Sequence, residues 1–432
     1  MAGHRWARRL YSAALLALSP LIWRRVWREQ LPGRPRVERL GVIPTSPPAA
    51  RTLWLHCASV GEVQAARPLI AALCRRYPRH RLVVTTMTAT GAERALMLAE
   101  TRRGQAAHGE VSHHFVPLDF PGAARRFIDR LRPELAIFFE TELWPNLLAA
   151  CECRGVPVAV VNGRLSPRAF RGYRRLGWLM AEALSHVAWL GAKSAADAER
   201  FRALGMAPEG IRVTGSLKFD LAADEGSREV SEYLRRDIGE RPVWVAGSTH
   251  PGEDEAVLEA HARLRETRPE ALLILVPRHP RRFAAVAELC AARGLATARR
   301  SADEAVTAET AVYLGDTMGE LAALYGAADL AFVGGSLAPV GGHNLLEPAA
   351  MGVPVLSGPE LANFADVAEA LREREALVEV ADAAALAGAL DRLFGDGAER
   401  GRLAAAGRAV VEANRGALAR TLAGLDRLLP AK

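Results

Sequence analysis

The chain has 432 residues, of which 50% are hydrophobic, and a formal net charge of +7 at pH 7. This length predicts two domains, because single hydrophobic cores stop growing at roughly 250–300 residues. Residues 1–36 hold eight arginines and one glutamate, so the rest of the chain is formally neutral and a nucleic-acid-binding body is not expected. The five cysteines form no CxxC pair, which indicates reduced thiols and argues against a zinc site.

The basic N-terminal segment, residues 1–36, also contains an apolar stretch at 10–27. Its uncharged part is about 14 residues long, below the roughly 20 that a helix needs to span a bilayer, and Pro20 interrupts it. We therefore expect a helix that lies in the membrane interface, with arginines on anionic head groups and tryptophans at the boundary. A signal peptide, a spanning segment and an ordinary packed helix are the alternatives. Against a signal peptide, Trp23 and Trp27 stand among arginines where a small-residue cleavage site belongs.

Downstream of a proline-rich connector, short apolar runs alternate with stretches of helical spacing, which predicts parallel sheets covered by helices on both faces. A polar segment, residues 220–241, is predicted to link a first domain at 50–219 to a second at 242–432, which a helical tail at 383–429 closes. The two doubly wound domains are expected to face each other across a cleft, with ligands at the carboxyl ends of the strands. The predicted strands are 52–57, 82–86, 114–118, 135–139, 156–161, 187–190 and 211–214, then 243–246, 272–276, 311–314, 330–333 and 353–356.

The stretch 329–358 reads as a strand, a glycine loop, a short helix and a second strand. Glycine pairs at 334–335 and 341–342 let the backbone approach a ligand closely. The helix, predicted at 347–351, would offer unpaired N–H groups and a positive dipole end to a phosphate. Glu347 at its start is suited to accept hydrogen bonds from ribose hydroxyls. An ordinary β–α turn is the alternative.

Three loops of the first domain carry charged side chains at strand ends. CASVGEVQ places Glu62 in the first turn of a helix, where the dipole favours the charged carboxylate that a general base needs. A capping box with Ser59 is the alternative. FFETELWPN places Glu140 and Glu142 beside apolar residues, where they serve either a function or a cap. TGSLKFD places Lys218 at the domain boundary, either solvated or able to neutralise a leaving phosphate.

Other basic residues point to anionic ligands. LVPRHPRR holds Arg278 between prolines at a sheet edge, which suits a phosphate or carboxylate, with His279 as a hydrogen-bonding neighbour. The run NGRLSPRAFRGYRRLG, residues 162–177, carries five arginines that either hold an anionic acceptor or form a solvated helix face. G-x-G-x-x-G, Walker and H-E-x-x-H motifs do not occur in the sequence, which argues against dehydrogenase, ATPase and metalloprotease functions.

Taken together, these motifs resemble the 3-deoxy-D-manno-octulosonic acid (Kdo) transferases of lipopolysaccharide synthesis. The resemblance runs from about residue 54 to 359, and the basic apolar N-terminus also matches. ETELWPN and TGSLKFD are its most specific parts, whereas GGHN followed by glutamate is shared with other two-domain glycosyltransferases. In chain order the matching motifs are ASVGEV, TTMTATG, ETELWPN, NGRLS, TGSLKFD, AGSTHPGEDE, VPRHPRR, TMGEL and GGHNLLEPAAMG.

The resemblance implies an α/β architecture of the GT-B type, with two Rossmann-like domains, the acceptor on the first, the nucleotide sugar on the second, and no catalytic metal or cofactor. Glu62 would be the general base, with Glu140 and Lys218 as transition-state stabilisers. The donor would be CMP-Kdo and the acceptor the lipid A precursor, a tetraacylated, bisphosphorylated glucosamine disaccharide at the cytoplasmic side of the inner membrane. Contacts to CMP would come from Pro277, Arg278, Met318, Gly319, Glu320, Gly341, Gly342, Asn344 and Glu347.

Two other functions fit the same sequence. One is a different GT-B enzyme, such as a lipid-linked transferase that uses a UDP-sugar. The other is a non-catalytic adaptor at the membrane surface, which would use the basic segment and tolerate loss of Glu62. One departure from the family pattern is Leu345-Leu346 after Asn344, where the family has Pro-Leu, and we expect it to affect loop stiffness more than ligand contacts.

Overall fold

The structure, a computed structural model, describes residues 5–26, 28–29, 31–47, 50–102, 110–221 and 225–429. Trp27 of the predicted interfacial helix and residues 222–224 of the predicted linker lie outside these ranges. The chain divides into two compact units, the first formed by Met1–Asp220 with Arg415–Lys432 and the second by Leu221–Asn414.

The first unit is built on seven parallel strands with helices on both faces. The strands are β1 Arg51–His56, β2 His80–Thr86, β3 Val111–Phe115, β4 Leu135–Phe139, β5 Val158–Gly163, β6 Trp189–Ala192 and β7 Ile211–Val213. The helices are α1 Arg5–Ala17, α2 Ser19–Val26, α3 Val60–Ala65, α4 Arg67–Arg76, α5 Ala89–Arg102, α6 Pro121–Leu131, α7 Pro145–Cys153, α8 Pro167–Arg175, α9 Gly177–Ser185, α10 Ala195–Ala203 and, from the end of the chain, α19 Ala417–Asp426.

Alternate residues of the central strands supply two separate cores. Trp54 and Phe138 belong to the core on one face of the sheet, whereas their neighbours Leu55 and Phe139 belong to the core on the other. Side chains of a strand point alternately to opposite faces, so a strand covered on both sides reads as one continuous apolar run. This is the reason that the strands were recognisable as short apolar runs.

The strand order of the first sheet is β3-β2-β1-β4-β5-β6-β7. Since β1 pairs with β2 on one side and with β4 on the other, the direction of winding reverses between β1 and β4. Ligands of such sheets bind in the crevice outside the carboxyl ends of the strands at this reversal. Glu62 follows β1 and Glu140 follows β4, so both lie at that crevice.

The second unit repeats this design with a second sheet of seven parallel strands. The strands are β8 Val243–Thr249, β9 Leu272–Pro277, β10 Thr297–Arg299, β11 Val312–Leu314, β12 Leu330–Val333, β13 Val355–Ser357 and β14 Leu377–Glu379. The helices are α11 Glu225–Ile238, α12 Glu253–Thr267, α13 Phe283–Ala292, α14 Leu321–Gly326, α15 Leu346–Met351, α16 Ala365–Glu373, α17 Ala383–Gly395 and α18 Gly397–Asn414. The order is β10-β11-β9-β8-β12-β13-β14, with the reversal between β8 and β12.

The predicted doubly wound, parallel α/β architecture is confirmed in both units. All twelve predicted strands are present, although β3 begins three residues before the predicted 114–118. Two strands were not predicted, β10 with the sequence TAR and β14 with the sequence LVE. Each has three residues at a sheet edge, too few to show a hydrophobic period.

The helical tail is divided between the units, contrary to the prediction that it closes the second domain. α19 packs into the first unit, where Ala417 and Leu425 join the core that contains Leu69 and Leu73. Asp220 fastens its start, accepting hydrogen bonds from the N–H groups of Gly416 at 2.9 Å and Leu418 at 2.6 Å. The tail therefore ends on the unit where the chain began.

The predicted linker at 220–241 is largely a helix. α11 belongs to the second unit, where Arg235 pairs with Asp329 at 3.2 Å just before β12. The polar residues of α11 form the outer face of an amphipathic helix. A polar sequence alone does not distinguish such a helix from a linker.

The N-terminal segment forms two helices, α1 and α2, and one side of α1 is packed on the first unit. Trp6 stacks on Trp178 with ring centroids 4.9 Å apart, and Arg8 pairs with Glu182 at 3.0 Å. The opposite side exposes Leu10. Within the described ranges, no helix combines the length and the hydropathy needed to cross a bilayer.

Candidate active site

Three carboxylates meet at the reversal point of the first sheet. Glu62 lies in the first turn of α3, whereas Glu140 and Glu142 follow β4. The buried thiol of Cys57 lies among them, since its pKa is raised first by burial and then by the negative charges of all three. The two predicted site residues Glu62 and Glu140 therefore lie close together in the structure. Glu142 is the third member of this carboxylate cluster.

Glu62 is held by the local structure of the β1–α3 loop. Its carboxylate accepts hydrogen bonds from the N–H of Ala58 at 2.7 Å and from the hydroxyl of Ser59 at 3.2 Å. Ser59 in turn caps the helix by accepting from the N–H of Glu62. The capping box considered from the sequence is thus present in a variant form, in which Glu62 accepts from the N–H of Ala58 and not from that of the capping residue Ser59. It fixes the position of the carboxylate, so a capping role and a role as base are compatible.

The protonation of Glu62 differs from the sequence prediction. Burial raises its pKa to about 8, and the charges of Glu142 and Glu140 add to the rise. These effects outweigh the hydrogen bonds from Ala58 and Ser59, which lower the pKa. The expectation that the helix start keeps this carboxylate charged is therefore wrong for the free protein at neutral pH. A carboxyl group with a pKa near the working pH is well matched to taking up a proton.

We expect the initial rate of the catalysed reaction to depend on this group. A base acts only when deprotonated, so kcat/KM should rise about tenfold per pH unit below pH 7 and level off above about pH 8. The measurement is a pH profile of initial rates at substrate concentrations well below KM, where the rate is proportional to kcat/KM and reports on the free protein. In a Glu142→Gln variant one negative charge is removed, the pKa of Glu62 falls, and the plateau should begin at lower pH. A profile that is identical in the two proteins would contradict the assignment.

Asn162 connects Glu140 to the loop that carries Lys218. The fully buried Asn162 side chain donates from Nδ2 to the Glu140 carboxylate at 3.5 Å and accepts at Oδ1 from the N–H of Leu217 at 3.1 Å. Glu140 and Asn162 also have positive φ angles of 59° and 53°. Left-handed backbone at residues other than glycine costs energy and clusters at functional sites. ETELWPN, NGRLS and TGSLKFD, which follow or end β4, β5 and β7, are therefore linked through Asn162.

Replacing Asn162 with alanine should lower kcat by roughly 10–100-fold with little change in donor KM. The reason is that a hydrogen bond to a charged group contributes about 1.5–3 kcal/mol, and here it positions Glu140 and the Lys218 loop. Steady-state kinetics measure the effect, and Asn162→Asp, which retains the acceptor for Leu217, separates the two bonds. Equal activity of the alanine variant and the unmodified protein would show that the bridge is only structural.

In the second unit, a buried carboxylate organises the glycine loop after β12. The side chain of Glu253, 1% exposed, accepts hydrogen bonds from the N–H groups of Gly335 at 2.7 Å and of Ser336 and Leu337 at 2.9 Å. It also accepts from the N–H of His250 at 2.9 Å. The sequence predicts that the glycine pair at 334–335 lets the backbone approach a ligand closely. In the structure the N–H groups of Gly335, Ser336 and Leu337 are directed at Glu253, whose buried carboxylate they stabilise.

Three strand-end loops of this unit converge at its reversal point. His250 follows β8, His279 follows β9, and His343 lies in the glycine loop; the Nε2 atoms of His250 and His343 are 2.8 Å apart, and the rings of His250 and His279 are in edge contact. Burial lowers the pKa of all three, that of His343 to about 3, and the charge of Arg278 adds to the effect. At neutral pH the histidines are uncharged donors and acceptors. Arg278 supplies the positive charge, since Arg282 is paired with the buried carboxylate of Asp254.

Apart from Pro277, which ends β9, the remaining predicted nucleotide contacts lie on two loops. Gly341 and Gly342 have φ angles of 93° and 76°, and a Cβ atom on either would approach a neighbouring side chain to 2.7 Å, so both positions require glycine. Asn344 donates to the Glu347 carboxylate at 3.0 Å and accepts from the N–H of Leu346. α15 starts at Leu346, one residue before the predicted start, and ends at the predicted Met351, with Gly352 as its C-cap.

The other loop, between β11 and α14, contains Met318, Gly319 and Glu320. Met318 is 63% exposed, and Gly319 has a φ of 94° with open space around it. Glu320 forms a bidentate pair with Arg300, at 2.8 and 3.2 Å, which lowers the pKa of its carboxyl group. Its carboxylate therefore shapes this loop. Pro277 is the last residue of β9, directly before Arg278.

Three residues that shape the candidate sites through hydrogen bonds were not assigned from the sequence: Asn162, Glu253 and His250. A signal existed for each, since all lie in motifs that were recognised, NGRLS and AGSTHPGEDE. Their roles depend on partners far along the chain, such as Gly335 for Glu253. Within the described part of the chain, no group of three or more His, Cys, Asp or Glu side chains is arranged to hold a metal.

Comparison with known proteins supports the same assignment along the chain. Residues 35–221 match the family model described as 3-deoxy-D-manno-octulosonic-acid transferase, and residues 255–410 match glycosyl transferases group 1. A 3-deoxy-D-manno-octulosonic acid transferase of Haemophilus influenzae is 40% identical over 87% of this chain and 86% of its own length. One from Bordetella pertussis is 40% identical over 97% of this chain and 99% of its own length.

Solved structures share the fold at low identity. UDP-GlcNAc 2-epimerase from Neisseria meningitidis aligns with a TM-score of 0.56 at 12% identity, over 87% of this chain and all of that chain. A glycosyltransferase from Rickettsia africae aligns with a TM-score of 0.52 at 14% identity, over 89% of this chain and all of that chain. The C-terminal CMP-Kdo binding domain of WaaA from Acinetobacter baumannii is 33% identical over 44% of this chain and all of that chain, with a TM-score of 0.43. With the GT-B fold and 40% identity to Kdo transferases over most of its length, the chain belongs to the Kdo transferase family of glycosyltransferases.

Proposed function

We propose that this protein transfers Kdo from CMP-Kdo to the lipid A precursor, with inversion at the anomeric carbon. The observation that carries the mechanism is the half-buried Glu62 carboxylate, fixed by Ala58 and Ser59 at the reversal point of the first sheet. The name of the 33% identical domain from Acinetobacter baumannii supports CMP-Kdo as donor. The acceptor class follows from the resemblance to lipopolysaccharide enzymes.

The proposed reaction is a single displacement. Glu62 removes the proton of a sugar hydroxyl, the hydroxyl oxygen bonds to the anomeric carbon of Kdo, and the bond from that carbon to the CMP phosphate breaks. The phosphate leaves with the electron pair, and Lys218 and Arg278 offset its charge. Glu140, held by Asn162, stabilises the positive charge that develops on the sugar ring. No metal takes part in these steps.

Side chains beside the carboxylate cluster suit an anionic acceptor. Tyr173 of α8 lies close to Glu142, since its pKa is raised by burial and then by the charge of Glu142. α8 contains no buried residue, so its arginines are available to phosphate groups of the acceptor. These arginines are Arg168, Arg171, Arg174 and Arg175, with Arg164 just before the helix.

The direct test is incubation of the purified protein with CMP-Kdo and the lipid A precursor, followed by mass spectrometry. The expected product carries one or more added Kdo groups and is accompanied by free CMP. A product formed only from a UDP-sugar would favour the other GT-B enzyme, and binding to vesicles without any transfer would favour the adaptor. Absence of Kdo addition, under conditions in which a known Kdo transferase is active, would overturn the proposal.

We also propose that the N-terminal segment contacts the cytoplasmic surface of the inner membrane. This proposal is supported by two exposed leucines and by the surrounding arginines. Leu10 of α1 is 56% exposed, and Leu18, directly after α1, is 52% exposed. Replacing both leucines with aspartate should lower binding to anionic vesicles at least tenfold, because each loses the burial free energy of a leucine side chain. Co-sedimentation with the vesicles measures the binding.

The control is Met97→Asp, which changes a 55% exposed side chain on α5. Equal vesicle binding by the control and the leucine variant would contradict the proposal.

A further inference from the structure

A cavity of about 310 Å³ lies under the two N-terminal helices in the first unit. Leu15 of α1 and Ile22 and Val26 of α2 form one wall. The opposite wall contains Met87, Leu118, Phe120 and Trp144. These side chains are aliphatic or aromatic, so the cavity suits an apolar ligand.

The acidic side chains of the lining are already engaged with protein groups. Asp119, which is buried, accepts hydrogen bonds from the N–H groups of Asn146 at 3.0 Å and Leu147 at 2.8 Å, and from Tyr11. Glu29 accepts from the N–H of Ala89 at 3.2 Å. Because these groups serve the protein interior, the surface that a ligand meets is dominated by hydrocarbon.

Two residues that line the cavity, Met87 and Trp144, connect it to the carboxylate cluster. The N–H of Met87 donates to the carbonyl of Ala58 at 2.9 Å, and the N–H of Ala58 donates to the Glu62 carboxylate. Trp144, on the cavity wall, donates from its ring N–H to the Glu142 carboxylate at 2.7 Å. If a sugar binds with its hydroxyl at Glu62, a substituent on the same sugar can therefore reach the cavity.

We propose that this cavity takes one acyl chain of the acceptor during transfer. The inference rests on the proposed lipid acceptor, in which acyl chains and reacting hydroxyl belong to one glucosamine disaccharide. α1 and α2 wall the cavity on one side and expose leucines on the other. A chain can therefore pass from a lipid surface into the protein beside these helices, and its burial anchors the sugar at the carboxylates.

The size of the cavity sets a chain-length limit. A methylene group takes about as much room as a water molecule, whose share of liquid volume is roughly 30 Å³, so the cavity holds about ten carbons. With the unmodified protein and acceptors whose chains run from six to fourteen carbons, the acceptor KM should fall by up to roughly fourfold for each buried methylene and then stop falling near ten. Partition into micelles would instead continue to grow with each added carbon.

Filling the cavity tests the same point by mutation. Leu15→Trp is compared with Leu16→Trp, which places the same side chain at the next position, 59% exposed and outside the lining. The readout is kcat/KM for the acylated acceptor divided by that for the deacylated disaccharide. We expect this ratio to fall at least tenfold in Leu15→Trp and to stay at the unmodified value in Leu16→Trp. Ile22→Trp and Leu21→Trp, the latter at a 65% exposed position, repeat the comparison on α2.

The possible outcomes separate the two proposals. If the unmodified protein forms no Kdo product, the proposed function fails. If it forms product but KM keeps falling beyond about ten carbons and the paired variants have equal ratios, only the acyl-chain cavity is overturned. Loss of vesicle binding in Leu15→Trp, with an unchanged ratio in micelles, would assign the cavity to a membrane phospholipid and would equally overturn it.

Discussion

A Glu62→Gln variant should lose transfer by at least about 100-fold while it binds CMP with unchanged affinity. A side chain that accepts a proton in the transition state contributes roughly 10²–10⁴ to the rate, and an amide cannot accept that proton. Its oxygen can still accept the hydrogen bond from Ala58, which is 2.7 Å long in the native protein, so the loop should keep its shape. Initial rates with CMP-Kdo and acceptor give the first quantity, and titration calorimetry with CMP gives the second.

The control for this experiment is a second capping box in the same unit. The hydroxyl of Ser194 caps α10 and donates to the Asp197 carboxylate at 2.6 Å. Asp197→Asn should lower the free energy of unfolding by about 0.5–2 kcal/mol and leave transfer active. If Glu62→Gln loses only comparable stability and retains near-native turnover, Glu62 is a helix cap and the base lies elsewhere.

A Glu253→Gln variant should bind CMP at least about 100-fold more weakly and unfold more easily by about 3 kcal/mol. Charge-assisted hydrogen bonds contribute about 1.5–3 kcal/mol each, and this carboxylate accepts several from the glycine loop and from His250. The amide that replaces it presents its own N–H₂ to N–H donors, so part of the loop loses its partner inside the protein. Thermal unfolding and CMP titration measure the two effects.

Glu255 provides a matched control on the same helix. It lies in the first turn of α12, two residues after Glu253, and is exposed. Glu255→Gln removes the same charge from the same helix dipole, an effect of at most about 1 kcal/mol, without touching the glycine loop. If both variants have the same stability and CMP affinity, the N–H groups of the loop do not depend on Glu253, and the account of this loop is wrong.

The strands of this protein could be predicted because burial on both faces leaves a local record in the sequence. β4 and β12 have the predicted bounds, and each is a run of apolar residues closed by a charged or glycine-containing loop. β10 and β14 are short edge strands, and their sequences lack such a run. The destination of α19 was also not predictable, because its partners, such as Asp220 and Leu73, lie some 200 to 350 residues earlier in the chain.

The sequence by itself determined the two parallel α/β units, the family, and the loops that carry Glu62, Glu140, Lys218 and Arg278, since periodicity and contiguous motifs are local properties of the chain. The tertiary structure decided that Glu62 has a raised pKa, that Glu253 holds the N–H groups of the glycine loop, and that an apolar cavity adjoins the carboxylates. These properties depend on burial and on distances between residues remote in sequence. Protonation and hydrogen-bond partners are set by that three-dimensional environment, which residue spacing along the chain does not specify.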